Sequence, residues 1–214
     1  MYVKDWMTYT VHTVDIKDGV VAAVRLMRAM NIKHVPVMDH GKVIGLVSDR
    51  MLKEYLPSKG TSLDVFELNY LLENTKISEI LKHEVIVCEP QLPIEEAAMK
   101  MLEEGIGCLP VVENGVLVGI ISDKDIFKAM IDITGGNKKG YRITFILADR
   151  SGSIKEAANI VRAHGFGIES ILSGHIAPDG MRKVVIRSRG AGDGEAMCAE
   201  VMKTYPDAEI LFRG

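Results

Sequence analysis

Two related stretches decide the fold: HVPVMDHGKVIGLVSDR at residues 34–50 and CLPVVENGVLVGIISDK at residues 108–124. They align without a gap when the chain is shifted along itself by 74 residues. The matched positions are Pro36 with Pro110, Gly41 with Gly115, Gly45 with Gly119, and Ser48-Asp49 with Ser122-Asp123. Proline, glycine and apolar positions that coincide at one offset indicate an internal repeat.

Each copy of the repeat predicts the element order β-α-β-β-α. A short apolar run, at residues 11–14 or 85–88, is typical of a strand, and apolar residues at helical spacing follow it. Two strands then flank a two-residue turn, His40-Gly41 or Asn114-Gly115, and a second helix comes after them. One copy buries too little surface to be stable alone, so we expect pseudo-two-fold packing with clefts between the copies.

The rest of the chain predicts a further compact unit. We place repeat one at 1–56, a helical spacer at 57–76, repeat two at 77–133, a linker at 134–140 and a second domain at 141–214. The linker is polar and rich in glycine, so it is predicted to be a flexible joint. The second domain predicts the order β-α-β-β-α-β, which is the ferredoxin-like arrangement. The predicted fold class is therefore α+β.

Composition limits the classes of function. The chain has 214 residues, 47 % apolar and 26 % charged, which is ordinary globular usage. A net charge of −3 without a basic segment disfavours nucleic acid as the main partner. Three cysteines without a CxxC motif favour a reducing compartment. No run of about 18 apolar residues is present, so we expect a cytoplasmic protein without a membrane span.

The doubled hairpin motifs resemble a tandem pair of CBS domains over roughly residues 1–130. The resemblance implies a site for an adenine nucleotide or adenosyl compound, with AMP, ADP, ATP and S-adenosylmethionine as candidate ligands. The residues that it implies are Thr13, Lys33, His34, Ser48, Val87, Pro110, Ser122 and Asp125.

The strongest local feature is Ser122 with Asp125 three residues later. In the CBS family this pair lines the ribose of a bound nucleotide, and a carboxylate can accept hydrogen bonds from both ribose hydroxyls. The same spacing is also that of a helix capping box, and both roles stay open. Copy one has Met51 in place of the aspartate, and Val87 stands in copy two where copy one has Thr13. Neither pocket therefore carries the full set. Lys33 could reach phosphates or lie in solvent.

The second domain resembles an ACT domain. The resemblance rests on a strand, the D-x-x-G turn at residues 149–152, an amphipathic helix and the run HGFGIESI at residues 164–171. It implies a small-ligand junction, often for amino acids, at Asp149, Gly152, Ser153 and Gly167. Gly167 stands where the family commonly has asparagine, so a side-chain donor and acceptor is missing.

The order CBS–CBS–ACT is similar to that of acetoin-utilisation proteins and implies a role in acetoin catabolism. We expect a non-catalytic regulatory protein, a homodimer or higher homo-oligomer that acts on a metabolic enzyme, with the ACT domain taking a second ligand or pairing subunits. An interaction scaffold with degenerate pockets is the alternative. An enzyme is disfavoured because no nucleophile, base or metal-ligand set is visible, and no metal site is expected.

Overall fold

The computed structural model describes residues 1–55, 75–81, 84–175 and 180–214. The chain divides into two compact units, unit 1 at Met1–Ile126 and unit 2 at Phe127–Gly214. The predicted spacer at 57–76 lies outside the described residues except for Thr75 and Lys76.

Unit 1 contains the two repeats. Repeat one comprises β1 (Val14–Asp15), α1 (Val20–Met30), β2 (His34–Asp39), β3 (Lys42–Ser48) and α2 (Asp49–Tyr55). Repeat two comprises α3 (Ile77–Ile80), α4 (Ile94–Glu103), β4 (Cys108–Glu113), β5 (Val116–Ser122) and the start of α5 (Asp123–Ile133). The predicted order β-α-β-β-α is confirmed in repeat one.

The first strand of each repeat is shorter than predicted. β1 pairs parallel to β2 through Val14 and Asp15 alone. In the predicted strand 85–88, only Cys88 pairs, through a parallel bridge to Val111. The prediction of full strands here was wrong, because an edge segment has hydrogen-bond partners on one side only and its apolar run extends beyond the paired residues.

The two hairpins are near copies of each other. β2 pairs antiparallel with β3, and β4 with β5, and both pairs shift register at matched points, after Val37 and after Val111. The turn residues His40 and Asn114 have φ of 45° and 52°, and the glycine that follows each has φ near 80°. Positive φ at both central residues is the backbone of the type I′ turn that the sequence predicted.

The N-terminal segment of each repeat packs on the other repeat. We call residues 1–8 arm one and residues 75–81 arm two. The backbone hydrogen bonds are Val3 N to Leu92 O at 2.9 Å, Ile94 N to Met1 O at 3.2 Å, Ile77 N to Asp18 O at 3.0 Å, and Val20 N to Thr75 O at 2.9 Å. The first two are related to the last two by the 74-residue offset, so the expected pseudo-two-fold symmetry is present and exchanges the arms.

Glycines of the hairpins make room for these arms. A Cβ at Gly119 of repeat two would stand 2.5 Å from Sδ of Met7, which belongs to arm one. A Cβ at Gly45 of repeat one would stand 2.6 Å from Cδ1 of Leu81, which belongs to arm two. The two glycines of the motif thus serve close packing between repeats.

Unit 2 confirms the predicted order β-α-β-β-α-β. After the end of α5 it contains β6 (Gly140–Ala148), α6 (Ser153–Ala163), β7 (Gly167–Gly174), β8 (Met181–Arg189), α7 (Gly194–Thr204) and β9 (Glu209–Arg213). The strands form one antiparallel sheet in the order β7-β8-β6-β9. Both helices pack on one face, in a core centred on Phe145 that includes Ile143, Ile186, Val161 and Met197.

The segment predicted as a flexible joint begins with residues that unit 2 holds in place. Ser170 Oγ donates to the carbonyl of Thr134 at 2.9 Å, and Arg213 donates to the carbonyl of Gly136. Gly135 has φ of 64°, and a Cβ there would meet the side chains of Glu169 and Arg187 within 3 Å. Residues 134–136 are therefore anchored by side chains of the sheet rather than flexible.

Candidate functional site

Ser122 and Asp125 are bonded to each other where β5 passes into α5. Oδ2 of Asp125 accepts from the backbone N–H of Ser122 at 3.0 Å and from its hydroxyl at 2.7 Å. The aspartate side chain is buried, with 9 % of its surface exposed. The bond to the backbone N–H is that of the third residue in a capping box, so the capping role is present. The ribose role stays a prediction.

Repeat one shows what happens without this carboxylate. Ser48 ends β3 as Ser122 ends β5, and its hydroxyl accepts from the backbone N–H of Met51 at 3.1 Å. This is a simple N-cap of α2. Because a thioether cannot accept strongly, Met51 leaves the serine to cap the helix itself.

Val87 and Pro110 lie on neighbouring segments of repeat two. Cys88 N–H, next to Val87, donates to the Pro110 carbonyl at 3.0 Å. The Val87 carbonyl accepts from Nζ of Lys100 on α4 at 2.9 Å. Pro110 is buried and Val87 half-buried. The structure therefore brings these two predicted residues together on one side of the β4–β5 hairpin.

His34 of repeat one lies beside repeat two. A Cβ at Gly107 would be 3.6 Å from Cε1 of His34 and 3.5 Å from Oδ2 of Asp123. Burial lowers the pKa of His34. The carboxylates of Asp123 and Asp49 act in the opposite direction and raise it, whereas the charge of Lys33 lowers it further. Asp123 was not among the predicted residues, although the doubled Ser-Asp motif points to it.

The other two predicted residues of repeat one are exposed. Lys33 accepts at its carbonyl from the N–H of Asp49 at 2.9 Å, and the equivalent bond in repeat two joins Gly107 and Asp123 at 3.0 Å. Thr13 is exposed immediately before β1. The backbone around Lys33 is thus fixed at the strand start, while its ammonium has no ion pair among the described residues.

In unit 2, the predicted junction is occupied by internal contacts. Asp149 lies 3.0 Å from Nε of Arg182 on β8. Gly152 adopts φ of 90°, and Ser153, which is buried, donates its hydroxyl to the carbonyl of Arg150 at 3.0 Å. These bonds hold the turn that leads into α6.

Gly167 faces an arginine. A Cβ at this position would stand 3.0 Å from Cγ and 3.1 Å from Nε of Arg189 on β8. A larger residue at 167 would displace that side chain. Arg182 and Arg189 were missed by sequence reasoning, since the β6–β8 register brings Arg182 to Asp149 and the β7–β8 register brings Arg189 to Gly167.

The profile of the CBS domain matches residues 3–58 and again residues 77–132. The two matches together cover just over half of the chain. The chain belongs to the CBS-domain family. The profile does not extend to unit 2 beyond α5, so the four-stranded sheet is described by its strand order alone.

Shorter CBS proteins are among the relatives. The CBS domain-containing protein YhcV of Bacillus subtilis is 29 % identical over 124 residues, which are 58 % of this chain and 81 % of that protein. Longer relatives also match, and the chain spans as little as 23 % of their length.

Two solved CBS structures resemble unit 1. A protein of Vibrio cholerae, described as an acetoin utilization protein (AcuB), is 36 % identical with a TM-score of 0.50, covering 61 % of this chain and 90 % of that one. The CBS domain pair of MJ0100, in complex with 5′-methylthioadenosine and S-adenosylmethionine, is 26 % identical with a TM-score of 0.51, covering 64 % and 98 %. That CBS pair therefore holds adenosyl ligands.

The described ranges contain neither a candidate membrane span nor a candidate metal site. No helix there is long and apolar enough to cross a bilayer. No group of three or more His, Cys, Asp or Glu side chains in those ranges could hold a metal ion.

Proposed function

We propose that the chain is a regulatory protein whose CBS pair binds an adenosyl ligand in repeat two. The observation that carries this proposal is Asp125, a buried carboxylate held in place at the first turn of α5 by Ser122. The complex of the MJ0100 pair with two adenosyl compounds supports the ligand class.

In this proposal each residue has a role. Asp125 accepts from the ribose hydroxyls, and Ser122 either donates to Asp125 or turns toward a phosphate near the N-terminus of α5, where unpaired N–H groups favour anions. Val87 and Pro110 supply apolar contacts beside the ribose. His34 and Lys33 enter from repeat one, since His34 lies near Gly107 and Asp123.

We propose that the chain is not an enzyme. Burial raises the pKa of Cys88 to about 11 and also raises the pKa of Cys108 and of Cys198. The three thiols are therefore protonated near neutral pH, which makes them poor nucleophiles.

Unit 2 extends the proposal. Its β-α-β-β-α-β order and its D-x-x-G turn support an ACT-type domain that takes a second small ligand or pairs subunits. Each ligand would act through its different affinity for two arrangements of the protein, a coupling of about 1–3 kcal/mol in typical cases. The likeness to the Vibrio cholerae protein supports a process that involves acetoin.

Calorimetric titration with 5′-methylthioadenosine, S-adenosylmethionine, AMP, ADP and ATP tests the ligand proposal. Asp125→Asn keeps an acceptor for the Ser122 N–H but removes the charge that receives two hydroxyls. We expect at least one compound to bind, with about 10- to 100-fold weaker binding in the variant, because a hydrogen bond to a charged group contributes about 1.5–3 kcal/mol.

Met51→Leu is the matched control, since residue 51 holds the same position in repeat one as residue 125 in repeat two. It should leave the affinity unchanged. Equal weakening in both variants would overturn the assignment to repeat two. Binding of none of the five compounds would favour the scaffold alternative, which is also favoured by Met51 in place of the aspartate and by Val87 in place of the threonine.

A further inference from the structure

Three arginines share one face of the sheet in unit 2. Arg142 of β6 pairs in register with Arg187 of β8 and with Leu211 of β9. Arg213 lies two residues after Leu211 and therefore on the same face. The helices cover the opposite face, where Ile143 and Phe145 point. The three guanidinium groups therefore project from neighbouring strands on the side away from the helices.

The three positive charges exceed the two negative charges beside them, those of Glu169, which lies with Arg187 next to Gly135, and of Glu209, which is in register with Thr144 on the same face. Burial lowers the pKa of Arg187, and the like charges of Arg142 and Arg213 lower it further. Among the described residues, no carboxylate forms an ion pair with Arg142, Arg187 or Arg213. Unit 2 as a whole carries 13 Lys and Arg against 10 Asp and Glu by sequence, although the chain is net negative.

Few of the available donors are used. Arg142 Nη1 donates to Oγ1 of Thr144 at 2.9 Å, and Arg213 Nη1 donates to the carbonyl of Gly136. These bonds fix the direction of two of the side chains. Each guanidinium has five N–H donors, so most of them remain for a ligand.

We propose that Arg142, Arg187 and Arg213 form a binding site for an oligophosphate group. A planar guanidinium matches the spacing of two phosphate oxygens, and three such groups call for a ligand with several negative charges. The cluster occupies one end of a small sheet rather than a long basic stripe, which favours a compact anion over a nucleic acid. This site is separate from the adenosyl site proposed in repeat two.

Titration with inorganic tripolyphosphate tests the site directly in the full chain. Arg187→Gln should weaken binding about tenfold or more, since it removes charge-assisted hydrogen bonds of about 1.5–3 kcal/mol. Arg162→Gln is the matched control, because it removes the same charge from the exposed side of α6. It should change the affinity less than about twofold.

A stability measurement separates ligand binding from a structural role. Without tripolyphosphate, Arg187→Gln should raise the Tm because it relieves repulsion among like charges. In the variant, tripolyphosphate should no longer raise the Tm. A lower Tm without the anion, combined with unchanged affinity, would show that Arg187 serves packing only and would overturn the proposal.

Two further measurements locate the anion. Asp125→Asn should leave tripolyphosphate binding unchanged. Tighter binding in this variant would place the anion in repeat two, because the substitution removes a negative charge there, and would overturn the site in unit 2 whatever the outcome for the adenosyl proposal. A single-stranded dT oligonucleotide should bind no better than tripolyphosphate. Much tighter binding of the oligonucleotide would identify a nucleic-acid surface instead.

Discussion

At the scale of single residues, the two repeats differ at the Ser-Asp motif that they share. Ser48 and Ser122 occupy the same place, yet one caps its helix and the other bonds to an aspartate three residues later. The difference depends on whether Met51 or Asp125 stands at the third helical position. With Met51 the motif only caps a helix, whereas with Asp125 it also places a carboxylate at the first turn of the helix.

His34 makes stability depend on pH. Burial lowers its pKa in the folded state, so the unfolded chain takes up a proton first as the pH falls. The contribution of His34 is complete above about pH 6.5 and decreases below it. Urea unfolding at about pH 7.5 and about pH 5.5 should show a lower free energy of unfolding at the acidic pH.

The comparison of variants isolates this histidine. His34→Gln should reduce the loss between the two pH values, because the variant lacks the buried imidazole. An identical loss in wild type and His34→Gln would contradict the assignment. The charges of Asp123 and Asp49 raise the pKa of His34 and that of Lys33 lowers it, but burial has the largest effect and decides the direction of the shift.

At the scale of elements, the exchanged arms join the repeats. Gly119→Ala should destabilise the protein because its Cβ meets Met7 of arm one. Adding Met7→Ala should recover part of the loss, since a smaller side chain gives the new methyl room. Chemical denaturation of the two single variants and the double variant gives the coupling free energy, expected at about 0.5–3 kcal/mol.

The same cycle has an internal control. Gly45 faces Leu81 of arm two, so Met7→Ala should not rescue Gly45→Ala, whereas Leu81→Ala should. Rescue of both glycine variants by Met7→Ala would mean that the arms are not exchanged.

The elements also show how far the sequence predicts the structure. The hairpins were predicted because Asn114-Gly115 and the repeated glycines fix a local turn. The exchange of the arms was not predicted, because the apolar residues Val3 and Ile77 indicate that they are buried but not against which repeat. Ser122 and Asp125 were predicted from spacing, whereas Arg189 beside Gly167 required the register of two strands.

At the scale of the whole molecule, both helices of repeat two carry large apolar side chains that are exposed. Leu102 on α4 is 82 % exposed, and Met130 on α5 is 60 % exposed. The positions in α1 that match Met99 and Leu102 are Arg25 and Arg28. Because arginines replace these apolar residues on α1, we propose that α4 and α5 each contribute apolar contacts when two copies of the chain pair.

Light scattering after size-exclusion chromatography tests this pairing. Met130→Glu should lower the molar mass toward that of one chain, because a charge in an apolar interface is costly to desolvate. Met202→Glu, on the exposed side of α7, should leave the mass unchanged. An unaltered mass in Met130→Glu would exclude this helix from the contact.

The exchanged arms also impose an order of events during synthesis. The core of repeat one includes Ile77 and Ile80, which follow its last described helix by more than twenty residues. A ribosome therefore releases Val20, Ala23 and Val35 well before the residues that cover them. Part of the core of repeat one therefore stays exposed to water until arm two is synthesised. Arm one, in contrast, has been synthesised before repeat two. The half of the pair with the intact Ser122–Asp125 site is thus the half that can close as soon as it emerges.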